Sequence, residues 1–371
     1  MDGHFIINIF IDLLFLFAFS FSMLFLLRKV ARHPRIGLVD NPDQRKNHQG
    51  AVPLVGGIST FLSITYFLYN NIALFPHSYL YLFCITVLVV IGALDDKFDI
   101  SFKLRMAVQA ILALYFIQVS GMQLTELGDL LGFGNIVLPD AIAKIVTVLG
   151  VLGAISAFNM VDGFDGLLGA LASTSFIGLA ILFSIADFEQ YAYLCLVFII
   201  AMLPYLLFNL GFLGRTRKVF MGDSGSMMIG FTIIFMLIFA VQSTPEKQTM
   251  RVVTALWLIT LPLVDMTAII YRRIRKGKSP FEADREHLHH IFDRIGFTPK
   301  QTLTTITCIS LLCAMVGIVS EIYQVAEYIM FYFFIAFFIV YTVLLSHIWK
   351  VTKRIRSIAR LKRIKKRIKQ V

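Results

Sequence analysis

The sequence predicts an all-α polytopic membrane protein of about eleven transmembrane helices. Three observations carry that expectation: 58% of the 371 residues are apolar, only 15% are charged, and the mean hydropathy is +0.78, all far from globular averages. Apolar stretches close to the ~20 residues that cross ~30 Å of hydrocarbon recur along the chain, separated by short polar connectors. They fall at residues 6–27, 54–70, 79–94, 104–120, 137–156, 166–186, 190–208, 225–242, 252–271, 302–320 and 327–349. No basic n-region precedes the first, no small-residue cleavage site follows it, and Arg28-Lys29 stops it, so an anchor is expected rather than a cleaved signal. Without repeats or low-complexity linkers, residues 1–349 read as one integral domain, followed by a tail over 350–371.

Charge sets the orientation. With the N-terminus periplasmic, all but three of the 34 Lys and Arg (Lys144, Lys247 and Arg251) fall on the opposite side, which places that side and the C-terminus in the cytoplasm. The net charge of +11 therefore reflects topology, and no nucleic-acid partner is expected. The tail alternates basic residues with Ile355, Ile358, Leu361, Ile364 and Ile368, the pattern of an amphipathic helix on anionic membrane lipids. Cys84, Cys195, Cys308 and Cys313 all lie inside spans, so no disulfide framework is expected. Residues 121–138 alternate and turn like a small periplasmic β-hairpin.

The polar residues that lipid makes costly gather in five cytoplasmic connectors. The first ends in Gly56-Gly57, where backbone can approach a ligand closely; Lys46 and His48 precede it, either holding phosphate or forming an ordinary basic loop. The second is Asp95-Asp96-Lys97-Phe98-Asp99. Adjacent carboxylates beside lipid repel one another and persist only where a cation or base chemistry retains them. A DDxxD string also holds Mg²⁺ on diphosphates in prenyl synthases and membrane prenyltransferases. The third, Asn159 to Leu167, carries Asp162 and Asp165 between glycines, suiting a Mg²⁺-type oxygen site or a nucleotide's polar edges.

In the fourth, Lys218-Val-Phe220-Met-Gly-Asp223-Ser-Gly-Ser226 runs straight into a span. Asp223 is an N-cap, a metal-facing carboxylate beside helix amides open to phosphate, or both. The fifth runs from Arg272-Arg273 through His287-Leu-His289-His290 to Thr298-Pro299, an N-cap and N1 pair. The histidines point in different directions on a helix over 284–294 and no cysteine assists them, so phosphate binding or proton handling is expected over zinc. Asp12 and Asp265, the only acids well inside spans, read as packing or supporting groups. Carboxylates for a divalent ion and cations for phosphate on one aqueous face suit a soluble diphosphate substrate. Placement at span ends implies that the second substrate stays in the bilayer.

Taken together, RKNHQGAVPLVGG, ALDDKFDIS, AFNMVDGFDGLLG, KVFMGDSGS and DREHLHH resemble the polyprenyl-phosphate N-acetylhexosamine-1-phosphate transferases, over nearly the whole chain. The strings look like the branch that loads N-acetylglucosamine for enterobacterial common antigen and O-antigen. They look less like the branch that takes UDP-MurNAc-pentapeptide, which has an uninterrupted triple histidine. The resemblance implies a bacterial inner-membrane homodimer acting on UDP-GlcNAc and undecaprenyl phosphate with Mg²⁺, or Mn²⁺ in its place. It implies Asp223 as metal ligand with Asn159 beside it. Asp95 and Asp96 would position the acceptor phosphate or accept its proton, and Asp162 and Asp165 would serve the nucleotide, Asp165 with Phe220 holding uracil. His287, His289 and His290 would act at the phosphates, His287 catalytically, with Lys46, His48, Arg272 and Arg273 as further phosphate contacts.

Two rivals use part of these motifs. An aromatic-acceptor prenyltransferase would leave Met221–Ser226 and the histidines idle. A transporter would place its polar groups near mid-bilayer, on paired broken helices.

Overall fold

Each apolar stretch becomes helical because a backbone in lipid must satisfy its own N–H and C=O groups. The computed structural model describes residues 3–41, 50–74, 77–242, 249–280 and 287–347. In chain order the helices are α1 Gly3–Ala31, α2 Gly56–Asn70, α3 Ser78–Phe98, α4 Phe102–Ser120, α5 Asp140–Val161, α6 Leu167–Ile185, α7 Glu189–Asn209 and α8 Gly222–Gln242. They continue as α9 Val252–Leu258, α10 Thr260–Arg275, α11 Leu288–Ile295, α12 Pro299–Ile322 and α13 Glu327–Ser346. Among the described residues, nine helices are long and apolar enough to cross a membrane, so the chain is a polytopic all-α membrane protein.

Two of the eleven expected spans differ from plain crossings. Helix α2 has 15 residues and, at 1.5 Å per residue, rises only about 22 Å. The stretch 252–271 breaks at Ile259 into α9 and α10, bent by 82°. Pro262 explains the break: its ring clashes with the carbonyl four residues back, that of Leu258, yet is tolerated in the first turn of the new helix.

Helix α8 is the axis of the bundle. Its apolar window is 94% buried, against 17% for α1 and for α13, and it packs on α2, α3, α5 and α6. The α2 and α3 contacts depend on missing side chains. A Cβ on Gly57 would run into the backbone of Gly225, and one on Gly92 into that of Ser224.

The expected hairpin at 121–138 is reduced to one antiparallel bridge, Glu126 with Val137, flanked by Leu127 N–H to Ile136 O (2.9 Å) and Ile136 N–H to Gly128 O (3.0 Å). Tyr332 on α13 donates to its Leu131 carbonyl at 3.2 Å. A short antiparallel pair, β1 Val39–Asp40 and β2 Val52–Pro53, precedes α2. All four cysteines are unpaired, with only Cys308 exposed. The Thr298 cap forms as expected: its hydroxyl accepts from Gln301 N–H at 3.3 Å, Gln301 reaches back, and Pro299 stands at N1. Lys46, His48 and the 350–371 tail lie outside the described residues.

Candidate active site

The site forms where two helix starts meet. The first amides of any helix lack partners inside it. Those of α2 turn to the strand-like segment before α8: Gly56 N–H donates to Phe220 O at 3.0 Å and Gly57 N–H to Met221 O at 2.9 Å, while Phe220 N–H donates to Pro53 O at 2.9 Å. Gly56-Gly57 thus admits backbone, where the sequence suggested a ligand. The first amides of α8 turn to another helix. Asp96, in the last turn of α3, accepts from Asp223 N–H at 2.9 Å and from Ser224 N–H at 3.4 Å. Gly222, at φ +77°, makes the turn, and a Cβ there would lie 2.5 Å from Asp96 Oδ2. Asp223 therefore sits inside the first turn of α8 and is not its N-cap.

This frame leaves the Asp223 carboxylate to face side chains. Asn159, in the last turn of α5, donates to Oδ1 at 2.6 Å and to Ser226 Oγ at 2.9 Å. Arg105, from α4, donates to Oδ2 at 2.7 Å and also ion-pairs with Asp95. One guanidinium thus bridges two carboxylates from different helices. It was missed in the sequence because it counted only toward the basic side; its one signal is its place a short way beyond Asp96, in the first turn of the next helix.

Asp162, just past the end of α5, has its pKa raised, first by burial and then by the negative charges of Asp223, Asp96 and Asp165. An acid with a raised folded pKa keeps a proton that the unfolded chain has released, so its contribution to stability falls as pH climbs above the ordinary aspartate range. Chelator-treated protein is expected to lose stability through that window, and Asp162→Asn to flatten the slope. Superimposable thermal unfolding profiles for the two proteins, from roughly pH 5 to 8, would refute this. Asp165 is held by Lys218, two residues before Phe220. Buried Asn209 stitches their loops together, accepting from Gly166 N–H at 2.6 Å and donating to Val219 O at 3.0 Å.

The histidines adjoin this cluster through Gly163 and Phe164. The His289 ring lies 5.4 Å from that of Phe164, and a Cβ on Gly163 would contact it. Burial, and then His290 and His287, push the His289 pKa down to about 3, so this ring is neutral near pH 7 and offers hydrogen bonds rather than charge. His287 caps α11 and meets Asp265 Oδ2 through Nδ1 at 3.0 Å. The other oxygen of Asp265 accepts from Leu288 N–H at 3.3 Å and from Tyr341 at 2.5 Å. Asp265 is thus the supporting group the sequence suggested, whereas Asp12 lies on the exposed side of α1. Asp265→Asn should leave the chain folded but lower turnover about 10²-fold by misplacing the imidazole, with little change in KM. An unchanged kcat would remove His287 from the chemistry. Arg272 reaches Leu345 O at 3.3 Å and Arg273 reaches Pro280 O at 2.7 Å, so both brace α10 beside the histidines.

The residues 78–241 match the family model described as glycosyl transferase family 4, a range that holds Asp95, Asp96, Arg105, Asn159, Asp162, Lys218 and Asp223 but stops before the histidines. The chain is 44% identical over 355 residues, 95% of its length and 97% of the relative's, to the undecaprenyl-phosphate alpha-N-acetylglucosaminyl 1-phosphate transferase of Haemophilus influenzae. This chain belongs to glycosyl transferase family 4. Proteins of the same name from Yersinia pestis and Escherichia coli strain K12 are 44% and 42% identical, each over 81% of both chains. As a member of this family the protein is a membrane-embedded phosphotransferase.

Proposed function

We propose that the enzyme transfers GlcNAc-1-phosphate from UDP-GlcNAc to undecaprenyl phosphate, giving undecaprenyl-diphospho-GlcNAc and UMP. The observation that carries this reading is the convergence of Asp95, Asp96, Asp162 and Asp223 at helix ends, with Arg105 paired to Asp95 and Asp223 and Lys218 paired to neighbouring Asp165. The names of the relatives supply the sugar and the lipid.

The donor set consists of carboxylate and amide oxygens without sulfur, which suits Mg²⁺ or Mn²⁺ over zinc. The Arg105 guanidinium shared by Asp95 and Asp223 supports this reading, since both carboxylates turn toward one positive charge. Asp223 would hold the metal with Asn159 and Asp95 beside it, and the ion would supply charge neutralisation on the diphosphate. Asp96 acts through Asp223, since its oxygens are committed to the α8 amides. Asp165, Lys218 and Phe220 form the place for the uridine end. His287, oriented by Asp265, and neutral His289 face the diphosphate as hydrogen-bonding groups.

In the reaction an oxygen of the polyprenyl phosphate attacks the β-phosphorus of the donor. The bond from that phosphorus to the bridging oxygen breaks, and UMP leaves with the electron pair. A phosphate monoester, with its second pKa at about 6, is already mostly dianionic at neutral pH, so little base catalysis is needed. Asp95 then positions the acceptor rather than deprotonating it. The enzyme works at the cytoplasmic face of the inner membrane as a homodimer and opens O-antigen or enterobacterial common antigen-type glycan synthesis. The test is radiolabelled UDP-GlcNAc with undecaprenyl phosphate and Mg²⁺, followed by separation of the lipid product. Labelled lipid with stoichiometric UMP is expected; a better yield from another UDP-sugar would overturn the donor assignment.

A further inference from the structure

A second set of charges sits away from these carboxylates, at the cytoplasmic end of α1. Arg28, in the last turn of that helix, is only 9% exposed. Among the described residues its Nε is buried with no hydrogen-bond partner, and its one hydrogen bond is a long one, 3.4 Å, to Arg217 O. Its guanidinium lies 5.5 Å from the Phe25 ring centre and 5.7 Å from that of Phe208. The neighbouring charges that act on it, Arg32 and Arg217, are both positive. Arg32 in turn donates to Thr216 O at 3.3 Å. Among the described residues no carboxylate pairs with Arg28, Arg32 or Arg217. A covered guanidinium beside like charges is unfavourable unless an anion joins it.

Two features say what kind of anion. The cluster stands at the end of a span, at headgroup depth. The outer side of α1 leading to it exposes Phe25, Leu26 and Val30, a surface for acyl chains. We infer that Arg28, Arg32 and Arg217 form a binding site for the phosphodiester headgroup of an anionic phospholipid whose chains lie along α1. The lipid bridges α1 and residues 215–217, the start of the segment that carries Lys218, Phe220 and Asp223. Its occupancy braces the donor side of the site from outside, and it does so whichever UDP-sugar the enzyme uses.

The test takes the full-length protein in nanodiscs of phosphatidylcholine with increasing phosphatidylglycerol. Retained lipid is read by native mass spectrometry and turnover is read alongside. Wild type should retain phosphatidylglycerol selectively and gain activity with it. Each Arg→Gln change should lower retention about fivefold, and the double variant Arg32→Gln/Arg217→Gln, at two exposed positions, avoids the folding risk of Arg28→Gln. Arg28→Lys should retain more lipid than Arg28→Gln. Equal retention and equal stimulation in wild type and the double variant would overturn the site. So would displacement of the lipid by inorganic phosphate, which marks a general anion site, or one-for-one displacement by undecaprenyl phosphate, which assigns the cluster to the acceptor.

Discussion

Asp223→Asn is expected to lower turnover by at least about 10³-fold at every Mg²⁺ concentration while leaving the fold intact. The substitution keeps the shape of a side chain fixed by Asn159 on one oxygen and Arg105 on the other, but it removes the charge and replaces one of the two accepting oxygens by an amide that can only donate. Asn159→Ala leaves that charge in place but unfixed, so it should shift the Mg²⁺ requirement upward with a smaller loss of rate. UMP release across a Mg²⁺ titration separates the two. Metal dependence like that of wild type in Asp223→Asn would take Asp223 out of the metal's coordination.

The second large effect is on stability. In Gly57→Ala the new methyl meets the Gly225 backbone, and in Gly225→Ala it lies 2.5 Å from Gly57 Cα. Neither contact ends in a flexible side chain, so α2 and α8 must separate, at about 3 kcal/mol or more. Separation also pulls Gly56 and Gly57 off the Phe220 and Met221 carbonyls, so lost stability and lost activity should appear together. Gly150→Ala on α5 is the control: nothing lies within 4 Å of its new methyl, and a helix-interior Gly→Ala change favours the helix by about 0.5–1 kcal/mol. Thermal inactivation in detergent reads all three variants. A Gly57→Ala protein as stable as wild type would refute the close-approach account.

The spans were legible because a run of apolar residues matched to bilayer thickness has few alternative explanations. Which span would form the axis was not. Hydropathy scores a lipid-facing Leu and a core Leu alike, so the central α8 and the peripheral α1 looked equivalent. The break at Ile259 was encoded by Pro262, but its apolar flanks disguised two helices as one.

At the site, residue types forecast which groups would gather and not how each would be used. Asp95 and Asp96 read as an equivalent pair, yet successive positions on a helix point in different directions. One carboxylate turns to Arg105 and the other to the start of α8. Arg105 and Asn209 were invisible because each ties a nearby partner to a distant one, Asp95 to Asp223 and Val219 to Gly166. Asp265 was legible in outline, because an acid buried inside a span must have a partner, and that partner is His287.

The crowding around the first turn of α8 also bears on inhibition. Gly57, Gly92, Gly222 and Gly225 leave room for nothing larger beside Asp223, and Asp96 is engaged by the backbone there. A compound that took its contacts from this turn would confront positions where most escape mutations also disable their carrier. One resting on the rim near Arg215, whose side chain is exposed, would meet resistance far sooner.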